Sequence, residues 1–252
     1  MINIFQTDQH ELPSEILMDG VARGDIKMIE DTLSKGADID FQRVDMYPLL
    51  LAVSKGHYEC ARYLVKEGAN VNARNRFGWR PIHEAARKGQ NDLIDLLIEY
   101  GSQAQPNDKS GWTPIRAAVE GDQALSLQHL IDLGQLVDAA DMDGVTPIMV
   151  AVDRQKPVLV GILAANGGDL FRADSKGRSA FDRASKPGFE HIAKVLKEKL
   201  VNIPEAHSGV IAPADSPADS PADSGAGVCT AVGGDGEDEV TSRITKRRKN
   251  TA

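Results

Sequence analysis

From about residue 14 to residue 200 the chain alternates two apolar textures, a short run opened by proline and a spaced stripe closed by glycine. The fullest copy is Asn75 to Ala104. Pro81 suits the first turn of a helix, where its missing N–H has no partner to lose and its fixed φ is already helical. That helix is predicted to run to about Lys88 and to break at Gly89. Leu93, Ile94, Leu97 and Ile98 then form the inward stripe of a second helix at i, i+1, i+4, i+5 spacing, which Gly101 ends. Pro48, Pro81, Pro114 and Pro147 are 33 residues apart, and so are Gly68, Gly101, Gly134 and Gly167. A self-similar period of this length predicts a solenoid of helix pairs.

The residues that carry this phase have a familiar look. RPIHEAARKG (Arg80 to Gly89), WTPIRAA (Trp112 to Ala118), VTPIMVA (Val145 to Ala151) and GANVNAR (Gly68 to Arg74) resemble the TPLHxA and GADVNA signatures of ankyrin repeats over about residues 14 to 200. The resemblance implies an all-α fold, with antiparallel helix pairs stacked side by side and a hairpin-like loop projecting from each pair. It also implies a protein-binding role without naming a partner.

Six units are expected, at about 14–41, 42–74, 75–107, 108–140, 141–173 and 174–202, behind a flexible leader at 1–13 and ahead of a disordered, low-complexity tail at 203–252. The first unit lacks the Thr-Pro opening and the last has Ala180 in the proline phase and Lys197 at an apolar position, as capping units do. Gly36 and Gly68 are 32 apart, which predicts a loop one residue shorter between units one and two. In unit four, Asp122 takes the phase of Gly89 and Ser126 that of Leu93. The second helix of that unit is thus expected to couple weakly to its neighbours, and Ser126→Leu to add about 1 kcal/mol. The tail repeats PADS three times from Pro213 and closes with GEDE and KRRK runs, a composition too poor in apolar surface to offset the entropy of ordering.

Composition narrows the function. A formal charge of −8 does not suit a general nucleic-acid binder. Two cysteines, Cys60 and Cys229, offer neither a disulfide framework nor metal spacing and fit a reducing compartment. No stretch approaches 18 apolar residues and no signal-peptide pattern opens the chain, so a cytoplasmic, monomeric protein without membrane insertion is expected. His57 and His83 fall where the family's histidines bond neighbouring turns, and His129 and His191 stand apart from other metal-ligating types. No nucleophile triad or phosphate loop is recognisable, so no enzyme, cofactor or metal is expected. The resemblance also marks Asn72 as a position for asparagine hydroxylation in animal cells, and Ser216 and Ser220 precede proline as phosphate acceptors would.

The leading expectation is an interaction scaffold or adaptor. In the family's geometry the partner-facing phases are the loop tips and the exposed ends of first helices. Here these phases hold Arg43, Met46, Lys55, Arg74, Arg76, Phe77, Trp79, Arg87, Lys88, Lys109 and Trp112. Most are basic, which points to a protein partner with acidic residues around an apolar segment, anchored on Trp79 and Trp112. The alternative is a nuclear regulator whose repeats hold a transcription-associated partner while Lys246, Arg247, Arg248 and Lys249, similar to a short import signal, direct entry to the nucleus.

Overall fold

Proline sets where the helices begin. In the computed structural model, which describes residues 11–103 and 108–201, Pro48 opens α3 (Pro48–Lys55), Pro81 opens α5 (Pro81–Lys88), Pro114 opens α7 (Pro114–Glu120) and Pro147 opens α9 (Pro147–Asp153). In α11 (Ala180–Ala184) the proline is absent and a capping box replaces it. The Ser179 hydroxyl accepts from the Asp182 N–H, and the Asp182 carboxylate accepts from the Ser179 N–H. Each of these first helices is followed by a second: α4 (Tyr58–Lys66), α6 (Asn91–Glu99), α8 (Ala124–Asp132), α10 (Pro157–Ala165) and α12 (Glu190–Val201).

Ahead of them stand α1 (Glu11–Arg23) and α2 (Ile26–Ser34). Here the expected boundary moves: α1 starts at Glu11, inside the segment read as leader, because Pro13 lies in its first turn and costs no hydrogen bond there. Residues 1–10, the tail at 203–252 and Lys246 to Lys249, Ser216 and Ser220 within it lie outside the described residues.

The turn inside each pair needs a left-handed residue. Gly56 and Gly89 supply it at φ 76°, and the same phase is held by Asp122 at φ 58° and Gln155 at φ 54°. The long connections are 14 residues from α4 to α5 (67–80) and 13 from α2 to α3 (35–47), so the shorter first loop is present. Its tip differs in kind. Arg43 and Met46 exchange both backbone hydrogen bonds at 2.9 Å around a two-residue turn. In that turn, Val44 and Asp45 sit at φ 46° and 62°.

First helices pack on first helices from α1 to α11, and second helices line up behind them, from α2 to α4 to α6 and from α8 to α10. Burial follows the two rows. In α5 every residue from Pro81 to Ala86 is buried, whereas α6 buries Leu93, Ile94, Leu96 and Leu97 and leaves Asp92, Asp95 and Glu99 in solvent. Leu96 thus replaces Ile98 as the fourth inward residue, since Ile98 keeps partial exposure.

α6 and α8 approach each other less closely than α4 and α6 or α8 and α10 do, so the weak coupling expected of the Ser126 helix holds toward one neighbour and not toward the other. Ser126 is nevertheless no vacancy for leucine: it is fully buried and its hydroxyl bonds the Asn91 carboxamide oxygen of the preceding unit. The expectation that Ser126→Leu stabilises is overturned, because the larger side chain would strand Asn91 and crowd a filled site. His129 adds a second polar link, with Nε2 2.8 Å from Asp95 Oδ1.

Candidate functional site

Each loop tip in units three to five is built around one polar residue, and so is the matching loop in unit six. Asn75, Asp108, Asp141 and Asp174 each use a side-chain oxygen to accept the N–H groups two and four residues on. This is the Asx turn, which competes well with any other local arrangement. The tips are then tied to one another, one backbone bond per unit. Lys109 N–H donates to Phe77 C=O at 2.9 Å, Met142 N–H to Ser110 C=O at 3.1 Å and Ser175 N–H to Asp143 C=O at 2.9 Å. Gly78 is required twice over, by its φ of 83° and because a Cβ there would lie 2.6 Å from Lys109 N.

The predicted residues divide into three groups along this ridge and the wall behind it. Arg43, Arg74, Arg76, Phe77 and Lys109 stand exposed on the loops, with Met46 partly covered. Arg76 stacks its guanidinium 4.7 Å from the Phe77 ring and pairs with Asp45 at 2.9 Å. Lys55, Arg87 and Lys88 lie exposed in the last turns of α3 and α5, and Arg87 pairs with Glu84 at 2.7 Å.

Trp79 and Trp112 come together, with ring centroids 6.3 Å apart and edge to face. Both are half-buried and occupied. Trp79 stacks on His83, with centroids 5.0 Å apart, and its indole N–H donates to Glu84, while Trp112 is covered by the Arg116 guanidinium at 4.6 Å. The tryptophans therefore splint adjacent loops.

His83 Nδ1 accepts the Arg80 N–H at 3.2 Å and Nε2 meets the Trp112 carbonyl oxygen at 3.1 Å in the next unit. His57 Nε2 lies 3.3 Å from the Ala22 carbonyl oxygen in the preceding unit. Asn72 has a similar duty: its amide donates to Gly101 C=O at 2.9 Å and its oxygen accepts from the Gln103 N–H.

Behind the tips of units four to six a cleft of about 730 Å³ opens between the loops and the first helices. Its floor is ionic. Arg116, one period after His83, pairs with Glu120 and Asp141, and Arg154 reaches the same Glu120. Arg183 joins Asp153 to Asp174, and Arg178 also pairs with Asp174. Burial lowers the Arg116 pKa from its ordinary value, against the pull of Glu120 and Asp141. Hydrogen bonds, first that from the Arg178 N–H, hold the Asp174 carboxyl well below the usual range.

Sequence reasoning missed this network, although Arg116 falls at the histidine phase. It also missed two of the most exposed apolar side chains, Val44 (88% exposed) and Met142 (79%), which stand at tips in the phases of Phe77 and Lys109.

Comparison with known proteins agrees with the geometry. The family model described as ankyrin repeats (3 copies) matches residues 17–109 and 67–141. Ankyrin repeat domain-containing protein 13B of mouse and of human is 41% identical to this chain over 54 residues, which is 20% of this chain and only 9% of that protein. Among solved structures, the ankyrin repeat domain of Bcl-3, described as a unique member of the IkappaB protein family, superposes with a TM-score of 0.66 at 23% identity, over 73% of this chain and 85% of that one. An ankyrin repeat domain from Acinetobacter baumannii AYE superposes with a TM-score of 0.64 at 23% identity, over 73% of this chain and 96% of that one.

Proposed function

Because the chain belongs to the ankyrin repeat family, whose repeats are generally protein–protein interaction modules, we propose that it is a non-enzymatic scaffold or adaptor. It takes a partner protein along the loop tips and first helices of units two to four. What supports this reading is the juxtaposition of exposed Arg43, Lys55, Arg74, Arg87, Lys88 and Lys109 around the paired indoles of Trp79 and Trp112. A cationic frame around an aromatic centre favours a partner with acidic residues flanking an apolar segment, the charges setting rate and salt sensitivity and the centre setting affinity. The protein acts in the cytoplasm as a monomer on this reading. Comparing the tagged protein with and without Lys246 to Lys249 tests the nuclear alternative.

Site-directed photocrosslinking in the native cell tests the docking face. A photoreactive residue at Lys88, on a first helix, should trap a protein that the same residue at Lys66, on the exposed face of α4, does not. Equal trapping at the two positions would overturn this face.

A further inference from the structure

The ridge of loop tips has a composition that protein docking does not use up. Arg43 and Val44, Arg76 and Phe77, and Lys109 and Met142 follow one another from tip to tip, all exposed. One phase thus carries Arg43, Arg76, Lys109 and Met142 in successive tips, and the phase after it carries Val44 and Phe77 before giving way to Ser110 and Asp143. We propose that this line docks on an anionic lipid surface, with Val44, Phe77 and Met142 entering the headgroup layer and Arg43, Arg76 and Lys109 pairing with lipid charge. This goes beyond protein binding: it shares Arg43 and Lys109 with the proposed protein-docking face and adds Val44, Arg76, Phe77 and Met142 at the rim.

Three observations carry the choice of occupant. The first is charge: Arg43, Arg76 and Lys109 hold one phase in successive tips, Asp45 is paired with Arg76 and the Asp108 carboxylate is taken up by N–H groups of its own turn, which leaves Asp143, beside Met142, as the exposed carboxylate of this line. An anionic surface gains about 1 kcal/mol from each Lys or Arg brought close to it. The second is relief. From unit three to unit six neighbouring tips are bonded backbone to backbone, so closely that a methyl group on Gly78 would collide with Lys109 N, while the unit-two tip is joined through the Asp45 carboxylate, which accepts the Arg76 N–H. The crevice that could receive a partner's side chain lies behind the tips, in the cleft of units four to six, whereas a bilayer interface accepts the side chains that protrude at the rim without a pocket.

The third is strain. Val44 is 88% exposed and holds φ at 46°, a left-handed conformation that β-branched residues avoid. A two-residue turn of this kind ordinarily takes Asn or Gly at these positions. The isopropyl group is almost wholly in solvent, so its presence at a strained tip points to a contact outside the chain.

The test is sedimentation of the full chain with large unilamellar vesicles, either pure phosphatidylcholine or phosphatidylcholine doped with phosphatidylserine. Binding is expected only to the doped vesicles and should fall as salt rises. Arg43→Glu with Lys109→Glu should weaken it at least about ten-fold, since two cations near the surface become anions. Val44→Asn is the discriminating variant. It leaves net charge unchanged and relaxes the turn, so the melting temperature should rise while vesicle binding drops several-fold. Equal indifference to both vesicle types, or unaltered binding by these folded variants, would overturn the proposal. So would a protein that is trapped at Lys88 as above but leaves phosphatidylserine vesicles alone, a result that would keep the protein-docking reading intact.

Discussion

Units three and four solve the same problem with opposite chemistry. Each must tie the start of its first helix to the loop of the next unit, and the residue in charge is one period apart, His83 and Arg116. The histidine does it with two hydrogen bonds to backbone groups, Arg80 N–H and the Trp112 carbonyl. The arginine does it with charge, reaching Asp141 at the base of the next tip and Glu120 on its own helix. Unit five places fully buried Met149 at that phase, and unit six uses Asp182 as a cap instead. The phase therefore demands a filled volume and permits several links. A neutral link costs little desolvation, whereas a buried guanidinium is stable only while all its carboxylates stay in place.

Unit six is the extreme of the ionic solution and gives the largest expected effect. Asp174, Asp182 and Glu190 are all held below their ordinary pKa values, chiefly by the Arg178 N–H, the Ser179 hydroxyl and the Gly188 N–H respectively. In the folded unit they stay ionised at a pH where the unfolded chain has begun to bind protons. Their stabilisation is complete above the unfolded values, at about pH 4–5, and is lost as pH falls through the folded ones. Acid titration followed by amide NMR should show Ala180 and Ala184 losing their native signals before Ala85 and Ala117. Simultaneous loss along the array would break the contrast between units.

Next comes Arg116→Met, which copies unit five and leaves Asp141 without its guanidinium, while Glu120 keeps Arg154. It should cost about 3 kcal/mol in urea unfolding. Adding Asp141→Asn should recover most of that, because Asn75 shows that an amide builds the same turn in unit three. If the double variant is as unstable as the single one, volume rather than charge sets the cost. The smallest effect is Ser126→Ala, expected to lower stability by about 1 kcal/mol through the lost bond to Asn91. An unchanged melting curve would leave the α6–α8 junction resting on its apolar contacts.

Most of the scaffold could be read from phase alone. Pro48, Pro81, Pro114 and Pro147 marked four helix starts, and the one-residue deficit between Gly36 and Gly68 announced the shorter first loop. Those features are legible because proline and glycine act through local backbone geometry, which needs no knowledge of neighbours. What escaped depends on contacts 25 to 35 residues away. Ser126 read as a gap in an apolar stripe, since its partner Asn91 lies on another helix. The tryptophans read as anchors on adjacent loops, and their edge-to-face contact spans one full period. Val44 gave no signal because its strain belongs to a turn type, and the turn type follows from the missing residue.

The single backbone bond between successive tips has a consequence for how such a molecule can change over time. Because the bond belongs to the main chain, it holds adjacent tips from unit three to unit six at a fixed pitch whatever side chains they bear. The exposed residues at each tip then behave as interchangeable type set in a rigid stick. One tip can be rewritten by mutation without disturbing the spacing of the rest, so new recognition can be composed a letter at a time on a frame that stays folded throughout.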